Sequence, residues 1–588
     1  MKRTYNIIIG ALCGLIGVSS CADFLEIEPQ NEIILEKFWN EKADVDGIIT
    51  GCYSAMQKEG CIKRMIVWGE VRSDNVGVGR NISSDGSLEK VLKENIDAKN
   101  TYTTWKDFYS VINRCNTVIK YAPGVAAADP AYTESELQAN IAEVVALRSL
   151  CYFYLIRAFR DVPYSSVAFT DDDQTMDLPA TKFDDVLDSL IVSLEEVKGM
   201  AVKRYPVTKP LYQTGRITQD AIYAMLCEMY LWKKDYQNCI KYADLVIDSK
   251  KKIAEENRQS QNSKSSMSTA NDMDTRFNGY PLVSNLITSG YYGESYEVLF
   301  GADNRNSDDM NQEIIFQLVF NDSPSANSMP ANAAINSFYG NANSSVGLLA
   351  PTDFIFDDIE KTSSRSVFAD RNKKLDARMY INCNVDEKSI HKYTTRQIEI
   401  NATSTTPTIY YYSLYSQDQN GSNWVIYRLT DIMLLKAEAL SQMLREGADT
   451  ETVEYNRPIL AQAFSLVNAV NKRSVCQNQL VDTLQQSDYG TKSLMENLVL
   501  QERQRELMFE GKRWFDLVRY CQRNGNTQIL SSAAMRKVTT GGDLIANKLA
   551  KMDAIYWPYN NDEIKINKNL KQNPAFSSGE DESYEKTK

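Results

Sequence analysis

Gln501 to Tyr520, QERQRELMFEGKRWFDLVRY, is the stretch that decides the fold. Taken as one helix, it places Trp514, Leu517 and Val518 on one face at i, i+3, i+4 spacing; Met495, Leu498 and Val499 repeat the pattern upstream. Opposite charges fill the positions between. Glu502 faces Arg505, Glu510 faces Arg513 and Asp516 faces Arg519, each pair at i, i+3, where helix neighbours meet. Such a run is either a catalytic carboxylate cluster or an ion-pair lattice tying one helix to its neighbours. The lattice is favoured, because guanidinium forks match carboxylates in geometry and a general acid needs an unpaired, desolvated group.

The rest of the composition narrows the function. A chain of 588 residues can bury one very large core or about two to four ordinary ones. Its net charge of −12 argues against a nucleic-acid partner, since phosphate backbones need a basic stripe. No glycine-rich loop of the P-loop or dinucleotide type is present in the sequence. The single histidine, His391, nearly excludes histidine-based zinc sites and leaves a Ser-His-Asp triad dependent on one residue in a polar segment. Tyrosine and tryptophan are plentiful, at 33 and 7 residues, which suits a binding surface.

The N-terminus reads as an address. Lys2 and Arg3 precede an apolar run from Ile7 to Val18, too short to span a bilayer, and Val18-Ser19-Ser20-Cys21 follows. Residues 1–20 are therefore expected to be a signal peptide, and small residues before Cys21 resemble a bacterial lipobox, whose cysteine becomes the lipid attachment point. Each buried acyl methylene adds about 0.8 kcal/mol, so several chains anchor strongly without a spanning helix. Nine cysteines remain beyond Cys13 and Cys21, with no CxxC pair; Cys115, Cys151, Cys227 and Cys239 lie in apolar helical patterns and are expected to be buried thiols, not disulfides.

Two motifs carry a resemblance. Arg505-Glu506-Leu507, Phe509-Glu510-Gly511, Arg513-Trp514-Phe515-Asp516-Leu517 and Arg519 resemble the "RELxFEGxRWFDLxR" signature of the SusD/RagB family of outer-membrane, nutrient-binding lipoproteins. The stretch Cys21-Ala22-Asp23-Phe24-Leu25-Glu26 through Pro29 resembles the start of mature SusD-like proteins, and the terminal Trp557-Pro558-Tyr559, Glu563 and Gln572-Asn573-Pro574 resemble the family's end. The resemblance implies a mostly α fold: a tetratricopeptide-like scaffold of about four helix pairs beside an irregular, loop-rich ligand-binding region. It also implies a cell-surface protein, lipid-anchored in the outer membrane, that binds oligosaccharide and serves a TonB-dependent, SusC-like transporter.

Along the chain, helical segments are expected over 40–56, 105–121, 134–160, 182–198, 217–232 and 236–247, followed by a polar loop over 251–275. The helical N-terminal region is placed at 21–250 and the C-terminal region at 276–588, irregular over 276–424, helical over 425–523 and terminal over 524–588. Strand-like runs occur at Ile314 to Phe320 and Thr408 to Tyr412. Sugars present hydroxyls and C–H faces, so their binders combine aromatic platforms with amide, carboxylate and guanidinium groups. Two stretches have that character: Trp68, Arg72, Asp74 and Asn75 in a non-periodic segment, and Tyr291, Tyr292 and Tyr296 beside Gly290 and Gly293. No cofactor or metal is expected, and no EF-hand loop occurs in the sequence. A surface glycoside hydrolase would need two carboxylates roughly 5–10 Å apart; Asp171-Asp172-Asp173 and Asp184-Asp185 are available, though such runs usually make a solvated face. A peptide-binding module is the third reading. The expectation is a non-catalytic glycan binder.

Overall fold

The computed structural model describes residues 38–577, except 172, 207, 263–276, 287–289, 302–309, 322–329, 357–366, 369–375, 385, 403–407, 417–418, 477–483 and 539. Cys21 and the signal segment lie outside the described residues. The elements used below are α1 (Lys42–Met56), α2 (Glu59–Ile66), β1 (Val76–Val78), α3 (Gly86–Leu92), α4 (Lys106–Ala128), α5 (Glu134–Phe159), α6 (Phe183–Val197), α7 (Gln219–Trp232) and α8 (Tyr236–Asn262). The second half adds β2 (Ile314–Leu318), β3 (Leu349–Pro351), β4 (Thr395–Asn401), β5 (Thr408–Leu414), β6 (Trp424–Arg428), α9 (Leu429–Met443), α10 (Thr450–Ser474), α11 (Lys492–Leu507) and α12 (Arg513–Asn524). The protein is mostly helical, and α4 packs on α5, α7 on α8 and α9 on α10, as a scaffold of helix pairs requires.

Helix α5 shows how the core is nucleated by sequence. Thr133 and Glu136 form a reciprocal capping box at its start. From Ala142 to Phe159 every side chain is buried, so the helix runs through the interior, where Glu143 pairs with Arg216 and Arg157 with Glu228. It is long and apolar enough to cross a membrane, but its place is the middle of the folded core. A second core forms where Leu429, Met433 and Leu434 of α9 meet Leu466 and Val467 of α10 and Met495 and Leu498 of α11. All nine cysteines of the described residues are free and buried, as expected from their apolar settings.

Two elements differ from the sequence reading. Helix α8 continues to Asn262, so the first part of the polar stretch after 250 is helical rather than loop. The 501–520 stretch is two helices, not one. Chain direction changes between Leu507 and Arg513, where Phe509 and Gly511 both take positive φ (66° and 70°). Glycine adopts that conformation at little cost, and Gly511 also packs tightly, since a Cβ there would lie 3.1 Å from the Met65 carbonyl. A carboxylate from a distant segment satisfies the amides that the break exposes: Glu70 accepts from the backbone N–H groups of Phe509 (3.0 Å) and Lys512 (3.2 Å).

That break redirects the charges. Glu502–Arg505 (3.0 Å) and Asp516–Arg519 (2.8 Å) form as their spacing predicts. Glu510 instead pairs with Arg428 and Lys392 (2.7 and 2.6 Å), while Arg513 crosses to Asp74 (2.9 Å). Glu506 is gripped by Arg428 (2.6 Å), Arg378 (3.3 Å) and Arg473. Burial alone would raise its carboxyl, but Arg473, Arg428 and Arg378 outweigh that and hold it well below the usual range. The stretch is an ion-pair lattice joining α11 and α12 to β6, α10 and the irregular region.

Candidate functional site

The segment from Trp68 to Asn75 begins as a π-helical turn, Val67–Val71, at the end of α2. Its side chains face inward. Trp68 donates its indole N–H to the Tyr102 carbonyl (2.9 Å) between Phe108 and Phe159. Arg72 binds Glu94 (2.9 Å) and the carbonyls of Ile555 and Ala554, with its guanidinium over the Trp514 ring at 4.3 Å. Asp74 takes the Arg513 pair. Asn75 donates to Glu70 (2.7 Å) and accepts from Gln504 (2.8 Å). All four are fully buried, with their polar atoms committed to protein partners, so they brace the segment instead of presenting a ligand surface. Burial pushes the Glu70 carboxyl up to about 7.

What the brace positions is β1, which pairs antiparallel with β3 through Val76–Pro351, Gly77–Ala350 and Val78–Leu349. Thr352 locks the pair by donating its N–H to the Asn75 carbonyl (3.1 Å) and its hydroxyl to the Asp74 carbonyl (2.7 Å). The outer side of this ribbon forms one wall of a basin of about 640 Å³, closed by Lys388, Lys537, Val538 and Thr540. Its rim charges Lys388 and Asp353 pair with each other at 2.5 Å, and among the described residues no aromatic ring lines it. A sugar face finds no platform there.

The aromatic stretch behaves differently. Tyr296 is buried, its hydroxyl bonded to the carbonyls of His391 and Thr395 (both 2.9 Å), and Tyr292 is buried where its backbone bridges Ile400 in β4 (3.0 and 2.8 Å). Gly293 lets the loop lie this close: its φ is +134°, and a Cβ would sit 2.0 Å from the Ile398 carbonyl. Tyr291, next in the alternation, points outward and stacks on Tyr410 of β5, with ring centroids 6.2 Å apart and planes 22° apart. Tyr410 is 43% exposed. The β4–β5 register pairs Tyr410 with Glu399, Tyr412 with Gln397 and Thr408 with Asn401, so amide, carboxylate and hydroxyl groups share the outward face with the two rings. Tyr291 is thus the one predicted aromatic that reaches a surface platform. Its partner Tyr410 was legible only as part of a strand; the Thr408, Ile409, Tyr410 alternation is the signal that places it on the outer face.

The carboxylates weighed for hydrolysis sit elsewhere. Asp184 and Asp185 are exposed in the first turn of α6, and Asp171 and Asp173 are exposed as well. His391 is buried, with its ring against Tyr411 at 4.2 Å, and burial pushes its pKa down to about 4.

Comparison with known proteins agrees with this architecture. The family described as "SusD family" matches residues 296–576, and the one described as "Starch-binding associating with outer membrane" matches residues 23–231. The chain belongs to the SusD/RagB family. A SusD-like protein of Formosa agariphila is 26% identical over 539 residues, spanning 88% of this chain and 92% of its own. A SusD superfamily structure from Bacteroides thetaiotaomicron shares the fold with a TM-score of 0.61 at 21% identity, covering 92% of this chain and 99% of the other. A structure described as a laminarin-binding SusD-like protein superposes with a TM-score of 0.57 at 17% identity, covering 91% and 100%. The SusD-like fold therefore spans nearly all of the described protein.

Proposed function

We propose that this SusD/RagB protein is a non-catalytic glycan binder of the cell surface. In this reading Cys21 carries the lipid that anchors it in the outer membrane, and a TonB-dependent, SusC-like transporter receives the bound oligosaccharide. The observation that carries it is the Tyr291–Tyr410 stack, in which Tyr410 stands on β5 across the strand pair from Gln397, Glu399 and Asn401. Two fixed rings offer apolar contact to sugar C–H faces at little ordering cost, and the flanking side chains supply the directional bonds. The starch- and laminarin-binding descriptions attached to its relatives support a glycan as the ligand class. The carboxylates of the 501–520 stretch support a binder over a hydrolase: Glu502, Glu506, Glu510 and Asp516 are each buried against cations, leaving no unpaired general acid there.

The test is affinity electrophoresis of the soluble protein, residues 22–588, against a panel of polysaccharides, with reducing ends measured on the same samples. Retardation by a glycan without new reducing ends supports the proposal. Reducing ends above background would replace it with hydrolysis.

A further inference from the structure

We infer that Cys227 of α7 and Cys239 of α8 close into a disulfide that staples this helix pair in the mature protein. The inference rests on the cell-surface reading above, because disulfides form and persist outside the cytosol. The structure holds the two residues as thiols, with their Sγ atoms 3.7 Å apart. A disulfide bond is about 2.05 Å long, so the sulfurs need to approach by about 1.7 Å, a movement shared between two side chains. Only Lys233 to Asp235 separate the two helices, and the cysteines are 12 residues apart, so they meet as soon as the helix pair forms. Their pairing is also unambiguous. The thiol beside Cys227 is Cys239, whereas Cys115 feels both Cys52, at 3.8 Å, and Cys151.

Chain order supplies the opportunity. Both thiols are fully buried in the finished fold, and burial pushes the Cys227 thiol well above its ordinary value, so the folded pair lacks the thiolate that exchange requires. Part of that cover arrives late. Leu435 of α9 brings its carbonyl oxygen to 4.0 Å from the Cys239 sulfur, and it lies 196 residues further along the chain. Oxidation therefore belongs to the interval in which α7 and α8 have paired and α9 has not docked. In that interval one cysteine thiolate attacks the disulfide of an external thiol oxidant and forms a mixed disulfide, and the second thiolate displaces the oxidant's sulfur. The Cys227–Cys239 bond forms, the oxidant's disulfide is reduced to two thiols, and the two cysteine protons end on the oxidant's sulfurs. Docking of α9 then seals the bond from reductants.

The experiment expresses the full chain with its own leader in a Gram-negative host, separates cytoplasm from outer membrane, and unfolds each fraction in urea with iodoacetamide to cap free thiols. Reduction and a second cap, N-ethylmaleimide, then mark the cysteines that had been oxidised, and mass spectrometry of the peptides reads both caps. In the outer-membrane fraction Cys227 and Cys239 should carry the second cap, and the unreduced digest should hold a linked peptide about 2 Da lighter than the two thiol peptides together. In Cys239→Ala, Cys227 should switch to the first cap; the unsubstituted protein decides the matter even where that variant does not accumulate. Outer-membrane protein with both residues under the first cap overturns the inference and leaves the cell-surface reading in place. So does a Cys227 that keeps the second cap in Cys239→Ala, since its partner is then another thiol. Protein confined to the cytoplasm removes the cell-surface reading, and the inference with it.

Discussion

Replacing Arg428 by Met should expose how the lattice holds the two halves of the 501–520 stretch to the rest of the protein. Arg428 is fully buried and donates to Glu510 through Nε (2.9 Å) and Nη2 (2.7 Å), to Glu506 through Nη1 (2.6 Å), and to the Glu506 carbonyl (2.8 Å). Removing one partner of a buried ion pair leaves an uncompensated charge, and the usual cost is about 3–5 kcal/mol. Lys392 still reaches Glu510, and Arg473 and Arg378 still reach Glu506, so the expected loss at pH 7 is about 3 kcal/mol, the lower end. The sign of the pH dependence follows from the carboxylates. Glu506 is depressed below its ordinary 4.5, so its contribution is present above that value and lost as pH falls through the folded-state pKa. Without Arg428 the depression is smaller, so the gap between the two proteins should stay constant until the pH falls through the variant's folded-state pKa, and narrow below it. Urea unfolding followed by tryptophan fluorescence and circular dichroism reads the difference where the two probes coincide. A loss under about 1 kcal/mol at pH 7 would refute the reasoning.

Two further substitutions test neighbouring parts of the frame. Gly69 presses on the break itself, since a Cβ there would lie 1.9 Å from the Gly511 carbonyl; Gly69→Ala should cost about 3 kcal/mol, whereas Gly86→Ala, with open space around it, should stay within about 0.5 kcal/mol by the same denaturation assay. His391 has a folded pKa near 4 against an ordinary 6.5, so its contribution is present above pH 6.5 and is lost as pH falls toward 4, an effect on the order of 3 kcal/mol. His391→Phe should remove that part of the acid sensitivity, and an unchanged slope of stability between pH 6.5 and 4 would contradict it.

Much of the fold could be read locally because helix periodicity is a local property. The pattern from Glu134 onward marks α5, and the i, i+3 charges correctly announce Glu502–Arg505 and Asp516–Arg519. Glu510 and Arg513 fail to meet because Phe509 and Gly511 turn the chain between them. Gly511 inside the run was the available hint. The Trp68–Asn75 segment shows the harder case. Its polar side chains look like ligand groups in sequence, but the partners that bury them come from far along the chain: Glu94, Gln504, Arg513 and the carbonyls of Ala554 and Ile555. No local pattern encodes such pairings. Alternation could separate the Tyr291 ring from the buried Tyr292 once the bridge between Tyr292 and Ile400 set the phase, whereas Tyr296 lies in the helix Glu294–Leu299.

The most direct test of the account is calorimetric titration of neutral polysaccharides, laminarin among them, into the unsubstituted protein and into the Tyr291→Ala, Tyr410→Ala double variant. The account predicts saturable binding without new reducing ends, and a loss of at least about ten-fold in the variant, as for removal of central aromatic anchors. Binding of the double variant at the unsubstituted affinity would contradict it.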